Sequence, residues 1–214
     1  MPPCSRDRFP DRAILGQPPT VQQFAAELLK PCLKLKTMPT PIPLRPATEL
    51  DHPAIVSLMN LAFRGAEGWS IEADYIKGER TNLSLLREEI SKGAQYLLAQ
   101  DPATSTLQGC VSLHQATPQT WYLGSLTVLP TLQNSGFGRE LLTAAEQYAA
   151  AHGARTIEMT VVNVREPLIS WYERRGYRRT AETRPFPYSD TRYGTPTRPD
   201  LFFVVLEKHL WSAP

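Results

Sequence analysis

The chain has 214 residues, 42% of them hydrophobic and 21% charged, with a formal net charge of +2 at neutral pH. That length fits one domain, or one domain with an extension. The composition argues against wholesale disorder, and the near balance of charge gives none of the basic stripe that nucleic-acid binders show. Apolar runs such as Leu201–Leu206 fall far short of the roughly twenty residues that a membrane-spanning helix needs.

Three cysteines, Cys4, Cys32 and Cys110, with no Cys-x-x-Cys pair, make neither a disulfide scaffold nor a zinc site. A reducing, cytoplasmic compartment and no metal are expected. Ten of the twenty prolines lie in residues 1–46, which carry seven Lys/Arg against three Asp/Glu. This change of composition reads residues 1–40 as a Pro-rich, flexible extension and 41–211 as the folded domain. Within the extension, Val21, Phe24, Leu28 and Leu29 have helical spacing, and Pro31 would stop a short helix around 20–30. Arg6, Arg8 and Arg12 are interrupted by Asp7 and Asp11 and lack a following apolar core, so they make a poor targeting segment. Met38 is an alternative start.

In the domain, Ile42 to Pro46 reads as a first strand. Asp51 and Pro53 open a helix whose apolar face is Ile55, Leu58, Met59, Leu61 and Ala62, closed by Gly65 and Gly68. Ile71 to Lys77 reads as a second short helix. Thr81 caps a third, through Leu83, Leu86 and Ile90 to Gly93. Strands are predicted at 95–100, 106–115 and 121–129, with Asp101-Pro102 as a turn. A long helix over 137–152 presents Leu141, Leu142, Ala145 and Tyr148 on one face. A buried strand, Thr156 to Val162, precedes a helix over Glu166 to Arg175, and the last strands are Tyr177 to Thr183 and Leu201 to Glu207. This order predicts an α/β fold with a mixed sheet and helices on both faces. Residues 184–199 form a long irregular insertion, often a sign of a functional cover.

The chemistry concentrates in Leu126, Thr127, Val128 and the turn Gln133-Asn134-Ser135-Gly136-Phe137-Gly138-Arg139. An apolar strand runs into a glycine-containing bend that opens a helix. Glycine lets a ligand approach the backbone, and the first amides of a helix lack intrahelical partners and suit a phosphate. Ser135 adds a hydroxyl and Arg139 a charge. The dinucleotide pattern fails because Leu141 stands where its third glycine belongs, and the Walker pattern fails for want of Gly-Lys-Ser/Thr.

The remaining pattern, Gln-x-x-Gly-x-Gly, resembles the acyl-CoA-binding motif of the GNAT superfamily of N-acetyltransferases. The run Trp171-Tyr172-Glu173-Arg174-Arg175-Gly176-Tyr177, about thirty residues later on the next helix, looks like that superfamily's second motif. The resemblance covers roughly 42–207. It implies the three-layer GNAT fold, with a mostly antiparallel central sheet, and transfer of an acetyl group from acetyl-CoA to a primary amine. The residues 126–128 and 133–139 would then hold the cosubstrate, and a strand amide near Leu126 to Val128 would face the oxyanion. Tyr172 would be the general acid for the leaving thiolate. One position departs: many members have an asparagine seven residues before that tyrosine, where this chain has Arg165, either a phosphate contact or a helix cap; Asn163 lies two residues earlier.

The base is less determined. Glu72, beside Tyr75, is a candidate base or amine contact, Glu158 a rival in its apolar strand, and His114 a third. Phe63, Trp69 and Tyr75 are either an acceptor pocket or core. With no acidic or basic run to select a protein tail, a small-molecule amine is the favoured acceptor. The alternatives are a protein or peptide amine, or a non-catalytic acyl-CoA-binding or sensing module. No nucleic-acid or membrane partner is expected, and edge strands at the C-terminus leave room for a homodimer.

Overall fold

Strand alternation sets the layering. In β3 (Gln95–Gln100), Leu97 and Ala99 point to one face of the sheet and Tyr96 and Leu98 to the other, and each set joins a different apolar cluster. The structure, a computed structural model, describes residues 42–210. The helix expected around 20–30, its stop at Pro31, and Cys4 and Cys32 lie outside the described residues, as does residue 211 at the end of the expected domain.

The described elements are β1 (Arg45–Pro46), α1 (His52–Arg64), β2 (Ile76–Lys77), α2 (Leu83–Ser91), β3, β4 (Leu107–Gln115), β5 (Thr120–Val128), α3 (Phe137–Ala151), β6 (Thr156–Val162), α4 (Glu166–Glu173), β7 (Arg178–Pro185), β8 (Thr195–Pro196) and β9 (Phe202–His209). Seven strands form one sheet in the order β1-β3-β4-β5-β6-β9-β7. Every pairing in it is antiparallel except β5 with β6. Leu141, Leu142 and Ala145 of α3 and Ile169 and Tyr172 of α4 cover one face. Ile55, Leu58 and Met59 of α1 and Leu86 of α2 cover the other, where Cys110 is a free, buried thiol. This is the mixed, mostly antiparallel three-layer α/β fold. Among the described residues no helix is long and apolar enough to cross a membrane.

The second expected helix does not form. Residues 71–75 make turns in which the amides of Tyr75 and Ile76 bond to the Glu72 carbonyl, and Ile76–Lys77 pairs instead with Thr195–Pro196. So short a segment cannot recover the cost of helix nucleation, and the Glu72 side chain is drawn into ion pairs. Leu61 is 46% exposed, so the apolar stripe of α1 is narrower than its sequence suggests. Asn82, not Thr81, caps α2, accepting from the Leu85 amide at 3.0 Å.

Two irregularities make room for a site. β5 and β6 pair only at Thr120–Tyr122 with Thr156–Glu158 and then part. Between β4 and β5 the register slips: Cys110 faces Thr127 and Ser112 faces Gly124, so Val111 alone stands opposite Ser125 and Leu126. Ser125 takes a positive φ of 48° in this bulge. Bulges turn a strand and re-aim its groups, and this one sits where the sheet opens.

Candidate active site

The fork between β5 and β6 opens into a cavity of about 960 Å³. Tyr122, whose hydroxyl bonds the Thr160 hydroxyl at 2.6 Å, ties the two strands at the apex. Leu126, Thr127, Val128, Gln133, Asn134, Gly136, Gly138 and Arg139 line the cavity along one side, and Tyr172 and Glu72 also reach it. The structure therefore brings most of the residues singled out in the sequence to one space.

The bend after β5 is built by conformation more than by side chains. Asn134 and Gly136 have positive φ values of 62° and 97°, and among the described residues the amides of Asn134, Gly136 and Gly138 donate to no backbone carbonyl. These donors sit at the start of α3, at the positive end of its dipole. The side chains of Arg139, Arg174 and Arg175 converge on the same end of the cavity. Burial lowers the pKa of Arg175, and Arg174 and Arg139 lower it further by repulsion. Free amides and clustered guanidiniums suit a diphosphate. Two loop residues serve the bend rather than the cavity. The Ser135 hydroxyl donates to the Leu132 carbonyl at 2.7 Å and accepts from the Phe137 amide at 3.3 Å, and the Phe137 ring packs on the core. The hydroxyl expected to face a ligand is thus consumed locally.

Gln133 links this loop to the opposite wall. Its amide nitrogen donates to the Val128 carbonyl at 3.2 Å, and its oxygen accepts from the Trp69 amide at 2.6 Å. Tyr172, on α4, is buried, and burial pushes its hydroxyl up to about 12 despite the opposing pull of Arg165. It stays protonated at neutral pH, and among the described residues no hydrogen bond engages its oxygen.

The far wall carries a charge cluster. Glu72 pairs with Arg64 through one oxygen and with Arg165, at 2.8 Å, through the other. All three side chains are no more than a tenth exposed. Burial alone would raise the Glu72 pKa, but Arg165, Arg80 and Arg64 outweigh it and hold the carboxyl below its ordinary value. A carboxylate clamped in this way is a poor proton acceptor. Arg165 is the N-cap residue of α4, its carbonyl accepting from the Leu168 and Ile169 amides, but its side chain makes no capping bond: the guanidinium goes to Glu72, to the Ser70 carbonyl at 2.7 Å and to the Ser70 hydroxyl.

Glu158 lies on neither wall and pairs with Arg184 at 2.8 Å. His114 does line the cavity, its ring 5.0 Å from that of Tyr122. Burial lowers its pKa, with Glu158 opposing, so it is neutral at physiological pH. Phe63 and Trp69 face the cavity, whereas Tyr75 is buried with Ile76, Val162 and Leu201. The insertion after β7 contributes Phe186, Pro187 and Tyr193 to the wall. Sequence reasoning gave no role to Arg64, Arg80, Arg174, Arg175 or Tyr193; only Arg174 and Arg175, inside the second motif, carried a local signal.

No curated protein sequence matches the chain. Solved structures do match. A GNAT family acetyltransferase from Elizabethkingia anophelis with acetyl-CoA bound superposes with a TM-score of 0.58 at 19% identity, covering 78% of this chain and 97% of that one. A Bacillus subtilis acetyltransferase in complex with CoA gives 0.55 at 20% identity over 78% and 98%. The ribosomal-protein-alanine N-acetyltransferase of Brucella melitensis gives 0.56 at 19% over 78% and 99%. At such identities these likenesses speak for the fold. The sequence profile of the acetyltransferase (GNAT) family matches residues 54–177, more than half of the chain and inclusive of both loop and tyrosine helix, and the protein belongs to that family.

Proposed function

We propose that the protein moves an acetyl group from acetyl-CoA to the primary amine of a small molecule by direct attack, with Tyr172 as the acid. The observation that carries this reading is the placing of a protonated tyrosine hydroxyl, free of hydrogen-bond partners among the described residues, in the same cavity as the open amides of the glycine loop.

The amides of Asn134, Gly136 and Gly138, with Arg139, Arg174 and Arg175, hold the diphosphate of the cosubstrate. The bulged stretch Ser125–Val128 turns backbone donors towards the thioester, where one amide meets the oxyanion. Holding amine and thioester side by side supplies most of the advantage. Nitrogen attacks the carbonyl carbon, the C–N bond forms, the C–S bond breaks, and the sulfur leaves with a proton from Tyr172. The proton released by nitrogen passes to His114 and from there returns through solvent to the phenolate, which restores both groups. Glu72, clamped by two arginines, is a positioning group that fixes the acceptor wall. His114, neutral and on the cavity, accepts the amine's proton directly or through water.

A small acceptor is supported by Phe186, Pro187 and Tyr193, which the insertion after β7 adds to the cavity lining alongside Phe63 and Trp69. The decisive experiment is Tyr172→Phe. Turnover should fall about 100-fold, in the range general acids contribute, while acetyl-CoA affinity by calorimetry changes little. Unchanged turnover removes the acid role from Tyr172.

A further inference from the structure

Arg80 is the guanidinium of the acceptor wall that acts on Glu72 only at a distance. It is half-buried and lines the cavity, and among the described residues its guanidinium makes neither an ion pair nor a hydrogen bond. Its neighbours do. Arg64 and Arg165 share Glu72, and Arg192 pairs with Asp190 and Glu88, each at 2.8 Å. The remaining carboxylate of this wall, Glu89, accepts from the Tyr96 hydroxyl at 2.5 Å.

The position of Arg80 is fixed from both sides. Asn60, on α1, accepts from the Arg80 amide at 2.6 Å and donates to the Thr81 carbonyl at 2.8 Å. The guanidinium carbon stands 5.3 Å from the Phe63 ring centre and 5.8 Å from that of Tyr193. Aromatic rings beside a guanidinium hold it by cation–π attraction and leave its N–H edges free. The Tyr193 segment is itself pinned, since Arg64 donates to the Tyr193 carbonyl at 3.0 Å.

We propose that Arg80 receives a carboxylate of the acceptor, so that the amine acetylated here belongs to an amino acid or a close analogue. This rests on the acetyltransferase reading above and narrows its substrate class. A planar fork with free N–H edges matches a carboxylate with two parallel hydrogen bonds. Three guanidiniums act on the single carboxylate of Glu72, which leaves positive charge in excess on the wall. That excess has two effects. It disfavours diamines and polyamines, whose second cation would have only Glu89 to meet. It also favours the neutral form of the incoming amine, the form that attacks, by the ordinary like-charge effect on a titrating ammonium.

The test uses the full-length protein saturated with CoA. The common L-amino acids and their decarboxylated amines are titrated calorimetrically, and thiol release is followed with acetyl-CoA. At least one amino acid should bind and be acetylated, with its decarboxylated partner about 10- to 100-fold weaker, as loss of hydrogen bonds between charged groups implies. Arg80→Gln should bring the amino acid down to the level of the amine, and Arg80→Lys should restore part of the difference. Because the Arg80 guanidinium makes no ion pair or hydrogen bond among the described residues, Arg80→Lys should melt close to the parent; Arg80→Gln, which also loses the cation–π contacts and the pull on Glu72, should melt slightly lower but bind CoA as the parent does. Three results overturn the proposal: amines that bind as well as their amino acids, selectivity that survives Arg80→Gln, or a CoA complex that ignores every amino acid at millimolar concentration. Wild-type protein that takes up no CoA defeats the acetyltransferase reading itself.

Discussion

The two ends of the cavity are made by opposite means. The end proposed for the diphosphate is built mainly on one contiguous stretch, Leu126 to Arg139, whose main-chain amides are exposed by two positive-φ residues, with Arg174 and Arg175 added from just past α4. The acceptor end is assembled from distant segments by side chains: Arg165 reaches Glu72 across 93 positions, and Arg64 reaches the Tyr193 carbonyl across 129. On the reading proposed above, a diphosphate is bound by a shape that a short bend makes largely by itself. The acceptor proposed here would be met by charges that only the finished fold brings together, so that end depends on global stability in a way the loop does not.

The largest expected effect follows from that dependence. Glu72→Gln leaves two nearly buried guanidiniums without their anion, and removal of one partner from a buried pair costs about 3–5 kcal/mol. Urea denaturation should show the loss in full at pH 7. The sign of the pH dependence is fixed by the direction of the shift. The folded carboxyl titrates below its unfolded value, so its stabilisation is complete above about pH 4.3 and is lost as pH falls further. The gap between parent and Glu72→Gln should therefore narrow in acid. A gap that is absent at pH 7 would show that the acceptor wall does not lean on this cluster.

Next in size is the proton acceptor. With His114 as base, kcat/KM should decline on the acid side with an inflection below the ordinary histidine value of about 6.5, because burial lowers its pKa more than Glu158 raises it. His114→Gln should lower kcat/KM at neutral pH about 100-fold and abolish that limb. An unchanged limb in the variant would transfer the role to solvent or to another group.

How much of this was legible in the sequence follows the same division. The order of most strands and helices, the glycine bend and the tyrosine helix could be read because each is a local pattern of periodicity or of contiguous residues. The segment Ile71 to Lys77 could not, because its partner strand Thr195–Pro196 lies far along the chain and overrides a weak helical preference. Glu72 looked like a base because nothing near it in sequence announces Arg165. Ser135 looked like a ligand contact because its bond to the Leu132 carbonyl depends on the three-residue turn before it. Arg80 carried no signal, since its significance lies in what it lacks after every neighbour has found a partner.

The two glycines of the bend separate shape from space at the smallest scale. Gly136 has a φ of 97°, and a methyl group added there meets only an Arg139 nitrogen, at 3.4 Å. The objection to alanine is therefore conformational: Gly136→Ala should cost about 1–2 kcal/mol and weaken CoA binding as the bend relaxes. Gly138 lies within the helix at negative φ, and its added methyl meets Val128 and Trp171 at the ordinary distances of 3.6 and 3.7 Å. Gly138→Ala should leave stability unchanged or raise it by up to about 1 kcal/mol, the helix preference of alanine over glycine. Thermal melts with and without CoA read both terms. If Gly138→Ala melts higher yet binds CoA less well, the missing side chain serves the ligand; if it melts higher and binds equally, Gly138 serves only the packing of α3 on Trp171, and the close approach belongs to Gly136 alone.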